Sequence, residues 1–197
     1  MVLPQRDRPA RPDGRVPLIA HGSVHLRPGE RRDLPLFVSW MTDFRTTRTL
    51  AMTAPIGDAL EERWFESMLD RQGKEGWFFV ICRIEDDRPV GTIDLHEVDL
   101  RNGSASLGIA IGDPADTGQG YGSDALRALV AFAFEQLRLE RVELDVYAYN
   151  EGARRVYERV GFRHEGTLRR ALFRDGAHHD VDRMAVLRDE WMDLRGG

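Results

Sequence analysis

At 197 residues the chain is long enough for one domain with a sizeable core and too short for a second full one. Hydrophobic residues make up 42% and charged residues 31%, with a net charge of −5, which describes a folded protein and argues against nucleic acid as its main partner. Cys82 is the single cysteine, so an intramolecular disulfide and a cysteine-based metal site are excluded, and its apolar surroundings predict a buried, inert thiol.

Residues 1–16, rich in Arg, Pro and Asp, predict a disordered tail, leaving residues 17–197 as one domain. That start lacks the apolar core of a secretory signal, and no stretch approaches the roughly 20 apolar residues of a membrane span, so a cytoplasmic protein with no membrane partner is expected. Residues 24–27 suggest a short strand. Asp33 precedes Leu34, Phe37, Val38 and Met41 at helical spacing, with Pro35 in the first turn. Residues 43–57 read as a loop. From Asp58 the run Leu60, Trp64, Phe65, Met68 and Leu69 repeats with helical period until Gly73.

The period then changes. Residues 77–84, 90–98 and 104–111 predict three strands joined by short turns, an antiparallel meander. A glycine-rich loop over 113–122 leads into a helix expected from about Ser123 to Arg138, with Leu126, Leu129, Val130, Ala133, Phe134 and Leu137 on one face. Residues 141–149 alternate as a strand. A helix over 151–159 follows, with Asn150 at its N-cap and Gly161 as its stop. Two strands, near 162–173 and 181–187, flank the turn Arg174-Asp175-Gly176. The order αα, βββ, αβ, αββ predicts a mixed α/β fold with helices on the faces of a sheet.

Two segments carry the chemistry. Thr117-Gly118-Gln119-Gly120-Tyr121-Gly122 follows a strand and opens a helix, where glycines let backbone N–H groups converge and the helix dipole favours an anion. No Gly-Lys-Ser/Thr follows, so it is not a P-loop, and the meander before it is not the βαβ unit of a dinucleotide fold. Asn150 and Tyr157 stand about two helical turns apart, so a polar cap group and a phenol share one side of a helix.

Together these segments resemble the GNAT acetyltransferases, above all the branch holding ribosomal-protein N-terminal and spermidine acetyltransferases. The resemblance implies a central, mostly antiparallel sheet with helices on both faces, and acetyl-CoA as co-substrate without a metal. It makes Ile109, Ala110 and Ile111 the strand that pairs with the pantetheine arm. Thr117, Gly118, Gln119, Gly120, Tyr121, Gly122 and Ser123 become the pyrophosphate loop. Asn150, with Ala153 beside it, contacts the cofactor arm, Arg154 is placed to meet a cofactor phosphate, and Tyr157 matches the acid that protonates the leaving sulfur. Two features depart from the family pattern: Thr117 stands where a Gln or Arg usually begins the loop, and residues 104–108 carry no carboxylate to act as base.

For the base, the third strand offers Asp94, His96 and Glu97, with alternation placing Asp94 and His96 on one face and Glu97 on the other; Glu97 is taken as the catalytic carboxylate. The acceptor is expected to be a peptide or protein N-terminal α-amine or a small amino compound, because Arg45, Arg48, Arg169, Arg170 and Arg174 outnumber carboxylates in the segments that bound a family acceptor groove. A polyamine or amino sugar, or a non-catalytic acyl-CoA sensor, are the alternatives, and a homodimer accords with the resemblance. His178-His179-Asp180 reads as hairpin decoration rather than a metal site.

Overall fold

In the computed structural model, residue 11, residues 13–50 and residues 56–196 are described. In chain order they form β1 (Ile19–His21), β2 (Val24–Pro28), α1 (Leu34–Met41), α2 (Phe44–Thr47), α3 (Asp58–Arg71), β3 (Trp77–Arg83), β4 (Pro89–Asp99) and β5 (Ser104–Ile111). Then come α4 (Tyr121–Glu135), β6 (Arg141–Tyr147), α5 (Glu151–Val160), β7 (Arg163–Arg174), β8 (Ala177–Leu187) and α6 (Arg188–Gly196). The strands make one sheet in the order β1-β2-β3-β4-β5-β6-β8-β7. Every neighbouring pair is antiparallel except β5 and β6, which run parallel.

The sequence of β3, Trp-Phe-Phe-Val-Ile-Cys-Arg, is apolar on both faces because helices cover both. Phe79 and Ile81 share a core with Ile93 and Leu95 of β4, Leu107 of β5, and the face of α4 carrying Leu126, Leu129, Val130 and Phe134. Phe78, Val80 and Cys82 point the other way, onto Phe37 and Trp40 of α1 and Phe65 and Met68 of α3. The Phe37 and Phe78 rings meet edge-on with centroids 5.8 Å apart, a favoured aromatic geometry. Cys82 is fully buried there, and desolvation pushes its thiol up to about 11. A thiol so held is neutral at physiological pH and unsuited to attack.

The mixed fold with helices on both faces is the expected one, and the structure adjusts its details. β1 and α2, of three and four residues, were not foreseen, since elements so short carry no full period; nor was α6. β8 starts at Ala177, four residues before the anticipated strand, so β7 and β8 form a long hairpin. α4 begins at Tyr121 because Gly120 turns the backbone with φ of 90°, a left-handed conformation natural to glycine. Of the expected tail, residues 1–10 and 12 lie outside the described residues, and Arg11 is ion-paired to Asp87 at 2.8 Å. No helix among the described residues is long and apolar enough to cross a membrane.

Candidate active site

β5 and β6 bond through three residue pairs only, Ser104 with Arg141, Ala105 with Val142 and Ser106 with Glu143. Beyond Ser106 they part. The wedge between them is a cavity of about 650 Å³, walled by Leu107, Gly108 and Ile109 on one side and Leu144, Val146 and Tyr147 on the other. Asn150 and Tyr157 enter it from α5, and Thr49 and Leu50 cover it.

The α5 pair meets in this cavity as the helical spacing required. Asn150 caps the helix: its side-chain oxygen accepts from the Ala153 N–H at 3.2 Å, leaving the amide NH₂ for a ligand. Two turns on, the Tyr157 ring packs against Phe162 with centroids 6.0 Å apart. Burial pushes its phenol up to about 12, so Tyr157 is protonated throughout the neutral range. It enters the cavity as a hydrogen-bond donor.

The far end of β4 corrects the alternation argument. Glu97 adopts φ of 51°, and the β4–β5 register shifts between His96 and Asp99. A bulge of this kind re-aims side chains, and here His96 and Glu97 both line the cavity instead of facing opposite ways. Ser106 Oγ donates to Glu97 Oε2 at 3.3 Å. His96 Nδ1 lies 2.7 Å from Asp94 Oδ2, and this hydrogen bond raises the imidazole above its ordinary value. Gly108 makes room for the pair, because a Cβ there would come within 2.6 Å of Asp94 Oδ1.

The glycine loop lies at the mouth. Asp113 caps the 3-10 turn Pro114–Asp116 by accepting from Ala115 N–H at 2.8 Å. Arg88 grips Asp116 through two bonds of 2.9 and 2.6 Å, fixing the loop's base. Gly118 and Gly120 both turn at positive φ, 83° and 90°. The first helical bond of α4 runs from Asp124 N–H to the Gly120 carbonyl at 3.1 Å, so the N–H groups of Tyr121, Gly122 and Ser123 have no acceptor in a preceding turn. Gly122 sits beside Ile109 and Ile111, whose methyl carbons would be 4.0 and 3.9 Å from a Cβ there. Loop and wedge are therefore contiguous.

Of the residues picked from sequence, Tyr157, Glu97, Ile109 and Asn150 line the cavity. Ala110 and Ile111 continue the same strand, paired to Thr92 and Gly91 of β4. Thr117 to Gly120 form the adjoining loop, Tyr121 to Ser123 form the first turn of α4, and Ala153 serves the Asn150 cap. Arg154 is committed elsewhere, to Asp182 at 3.1 Å and Glu158 at 3.2 Å. Two of the arginines assigned to an acceptor groove have partners within the protein. Arg45 pairs with Asp43 at 2.6 Å, and Arg174 donates to the Thr47 and Leu50 carbonyls at 3.2 and 2.8 Å. The Arg174 bonds tie the segment carrying Thr49 and Leu50 to the β7–β8 hairpin, and Tyr149 Oη, donating to the Arg48 carbonyl at 2.7 Å, ties it to the turn after β6.

The charges on the wall were missed: Glu143, Asp145 and Arg183. Their signal was available, since the alternation that buries Val142, Leu144 and Val146 turns Glu143, Asp145 and Tyr147 to one opposite face. Arg183 holds Asp145 bidentately at 2.9 and 3.0 Å, and Arg141 pairs with Glu143 at 2.7 Å. Away from the cavity, His25, Cys82 and Asp87 lie near one another. The Arg11 guanidinium already contacts Asp87, and the charge of Arg27 acts on both His25 and Cys82, so two cations occupy the surroundings of that corner.

The fold recurs among solved structures. The crystal structure of spermidine N-acetyltransferase from Vibrio cholerae in complex with CoA and spermine superposes with a TM-score of 0.80, covering 86% of this chain and 98% of that one, at 24% identity. Residues 23–163 match the family described as an acetyltransferase (GNAT) domain, and the chain belongs to that family. Its relatives include YdaF of Bacillus subtilis, provisionally named a ribosomal N-acetyltransferase, at 40% identity over 51% of this chain and 55% of YdaF. The chain thus spans about half the length of this relative. The L-amino acid N-acetyltransferase AaaT of Escherichia coli is 31% identical over 64% of this chain and 75% of its own length. The spermidine N(1)-acetyltransferase of Vibrio cholerae is 28% identical over 87% of this chain and 97% of its own.

Proposed function

We propose that the chain transfers an acetyl group from acetyl-CoA directly to a primary amine, the α-amino group of a peptide or a small amino compound, in the cytoplasm. The observation that carries this reading is the β5–β6 wedge, with Tyr157 and Asn150 inside it and the glycine-opened end of α4 at its mouth. Bound there, acetyl-CoA supplies a thioester whose carbonyl carbon accepts the amine and whose sulfur leaves. Ile109 to Ile111 offer strand backbone to an amide-bearing arm, and the Asn150 amide donates to it. The N–H groups of Tyr121, Gly122 and Ser123 in the first turn of α4, together with the helix dipole, favour a pyrophosphate. Tyr157 donates its hydrogen to the departing sulfur. Cys82, buried beneath α1 and α3 and outside the cavity lining, takes no part, which supports direct transfer.

The wall favours an acceptor without several positive charges. Asp145 and Glu143 are already neutralised by Arg183 and Arg141, so few carboxylates remain for a polycation. An α-amine of pKa about 7.8 loses its proton at pH 7 for about 1 kcal/mol, against nearly 5 kcal/mol for an alkylamine of pKa about 10.4. The α-amine is the easier nucleophile.

Acetyl-CoA is expected to raise the melting point, since a ligand at a hundredfold excess over Kd adds about 2.7 kcal/mol. The test joins that thermal shift to kcat/KM for an alanine-started peptide, spermidine and an amino sugar, side by side at pH 7.5. The peptide is expected to lead. No shift with millimolar acetyl-CoA removes the donor assignment, a shift without turnover on any amine makes the chain a binding module, and a clear lead for spermidine replaces the acceptor.

A further inference from the structure

The hydrogen-bonded pair of His96, on the cavity wall, and Asp94 behind it has no part in the acetyl transfer derived above. We propose that His96 is the general base that takes the proton from the acceptor amine, with Asp94 as the positioning residue that orients its ring. This rests on the acetyl-transfer reading and supplies the group that residues 104–108 lack.

Three features converge on it. His96 lines the wedge, and its side chain keeps 44% of its surface exposed, so the ring is open to a substrate as well as held. The Asp94 carboxylate fixes Nδ1 at 2.7 Å, which places the proton on Nδ1 and leaves Nε2 as the lone-pair nitrogen. Gly108, on the facing strand, is what admits Asp94 to that position. Asp94 and Glu97 favour the imidazolium, Arg71 of α3 opposes it, and Glu143, Asp145 and Arg183 face it across the cavity. The result is an imidazole raised above its ordinary 6.5, a direction that lessens the cost of taking a proton from an ammonium. A glutamate side chain is ordinarily a weaker base than an imidazole, and Glu97 is bonded to Ser106 at 3.3 Å.

The protons balance as follows. The ammonium gives one proton to Nε2, and the imidazolium, held against Asp94, passes it to solvent. The freed nitrogen lone pair forms the carbon–nitrogen bond, and the carbon–sulfur pair leaves on sulfur. Sulfur receives the Tyr157 proton, and the second proton shed by nitrogen as the amide forms restores the phenol. One proton is released per acetyl group.

The test is the pH profile of kcat/KM from 5.5 to 9 on the full chain with acetyl-CoA and an alanine-started peptide, beside NMR titration of the His96 ring. His96→Gln is expected to lower kcat about 100-fold and remove the acid limb of the profile. Asp94→Asn is expected to move that limb, and the NMR midpoint of His96, to lower pH, and Gly108→Ala to do the same by displacing the carboxylate. A His96→Gln protein with the wild-type rate and acid limb overturns the proposal, as does loss of the limb in Glu97→Gln with its retention in His96→Gln. Should His96→Gln fail to fold, Asp94→Asn decides: an unmoved limb overturns the proposal. If wild type binds acetyl-CoA and acetylates no amine, the transfer reading falls and the base assignment with it. If wild type turns over and His96→Gln matches it, the base assignment falls alone.

Discussion

Tyr157→Phe is expected to lower kcat by ~10²–10⁴-fold and to leave acetyl-CoA affinity nearly unchanged. The phenol lines the cavity, and burial alone pushes it up to about 12. Against a free thiol of about 8.5, full proton transfer to the leaving sulfur is uphill by roughly 5 kcal/mol at 1.36 kcal/mol per unit. Two effects of the same cavity reduce that cost. A sulfur anion in a dry pocket becomes more basic, as the phenol becomes less acidic, and a hydrogen bond to it gains strength where water is excluded. Phenylalanine keeps the ring against Phe162 and deletes only the donor. Steady-state rates across pH 6 to 9, with acetyl-CoA affinity measured in parallel, separate the roles: a variant at the wild-type rate makes Tyr157 a packing residue.

Gly120→Val is expected to abolish the thermal stabilisation by acetyl-CoA. The reason lies in the backbone, because a Cβ at Gly120 meets nothing within 4 Å. At φ of 90° a β-branched residue carries strain of ~1–3 kcal/mol. The loop relieves it by leaving the left-handed conformation, which turns the N–H groups of Tyr121, Gly122 and Ser123 away from a common point. The ligand-free melting point falls modestly, and the increment from ligand, about 2.7 kcal/mol at a hundredfold excess, disappears. A variant with the full wild-type shift shows that the anion is held elsewhere.

Much of this arrangement was legible in the chain, for identifiable reasons. The helical period from Leu126 to Phe134 carried α4, and the spacing of Asn150 and Tyr157 carried the α5 side of the cavity, since both are properties of one segment. What escaped depends on more than one segment. The bulge at Glu97, which brings it beside His96, arises where β4 and β5 lose register. The role of Arg174 depends on partners far along the chain, the Thr47 and Leu50 carbonyls. Counting arginines in a loop says nothing of where their charge is used. Glu143 and Asp145 stood in a clean alternation, but only the parting of β5 from β6 makes their face the wall of a cavity.

That parting also divides the sheet. Three bonded residue pairs join β1–β5 to β6–β8, whereas β4 with β5 and β6 with β8 are bonded along most of their lengths. Every second amide of 107–111, directed away from β4, has no partner strand on that side, since β6 pairs only as far as Ser106. In hydrogen–deuterium exchange such a strand should label in an alternating pattern, with one set of amides as slow as the core and the other fast. A ligand arm carrying its own amides would slow the fast set and leave the slow set as it was, reporting occupancy residue by residue without any turnover.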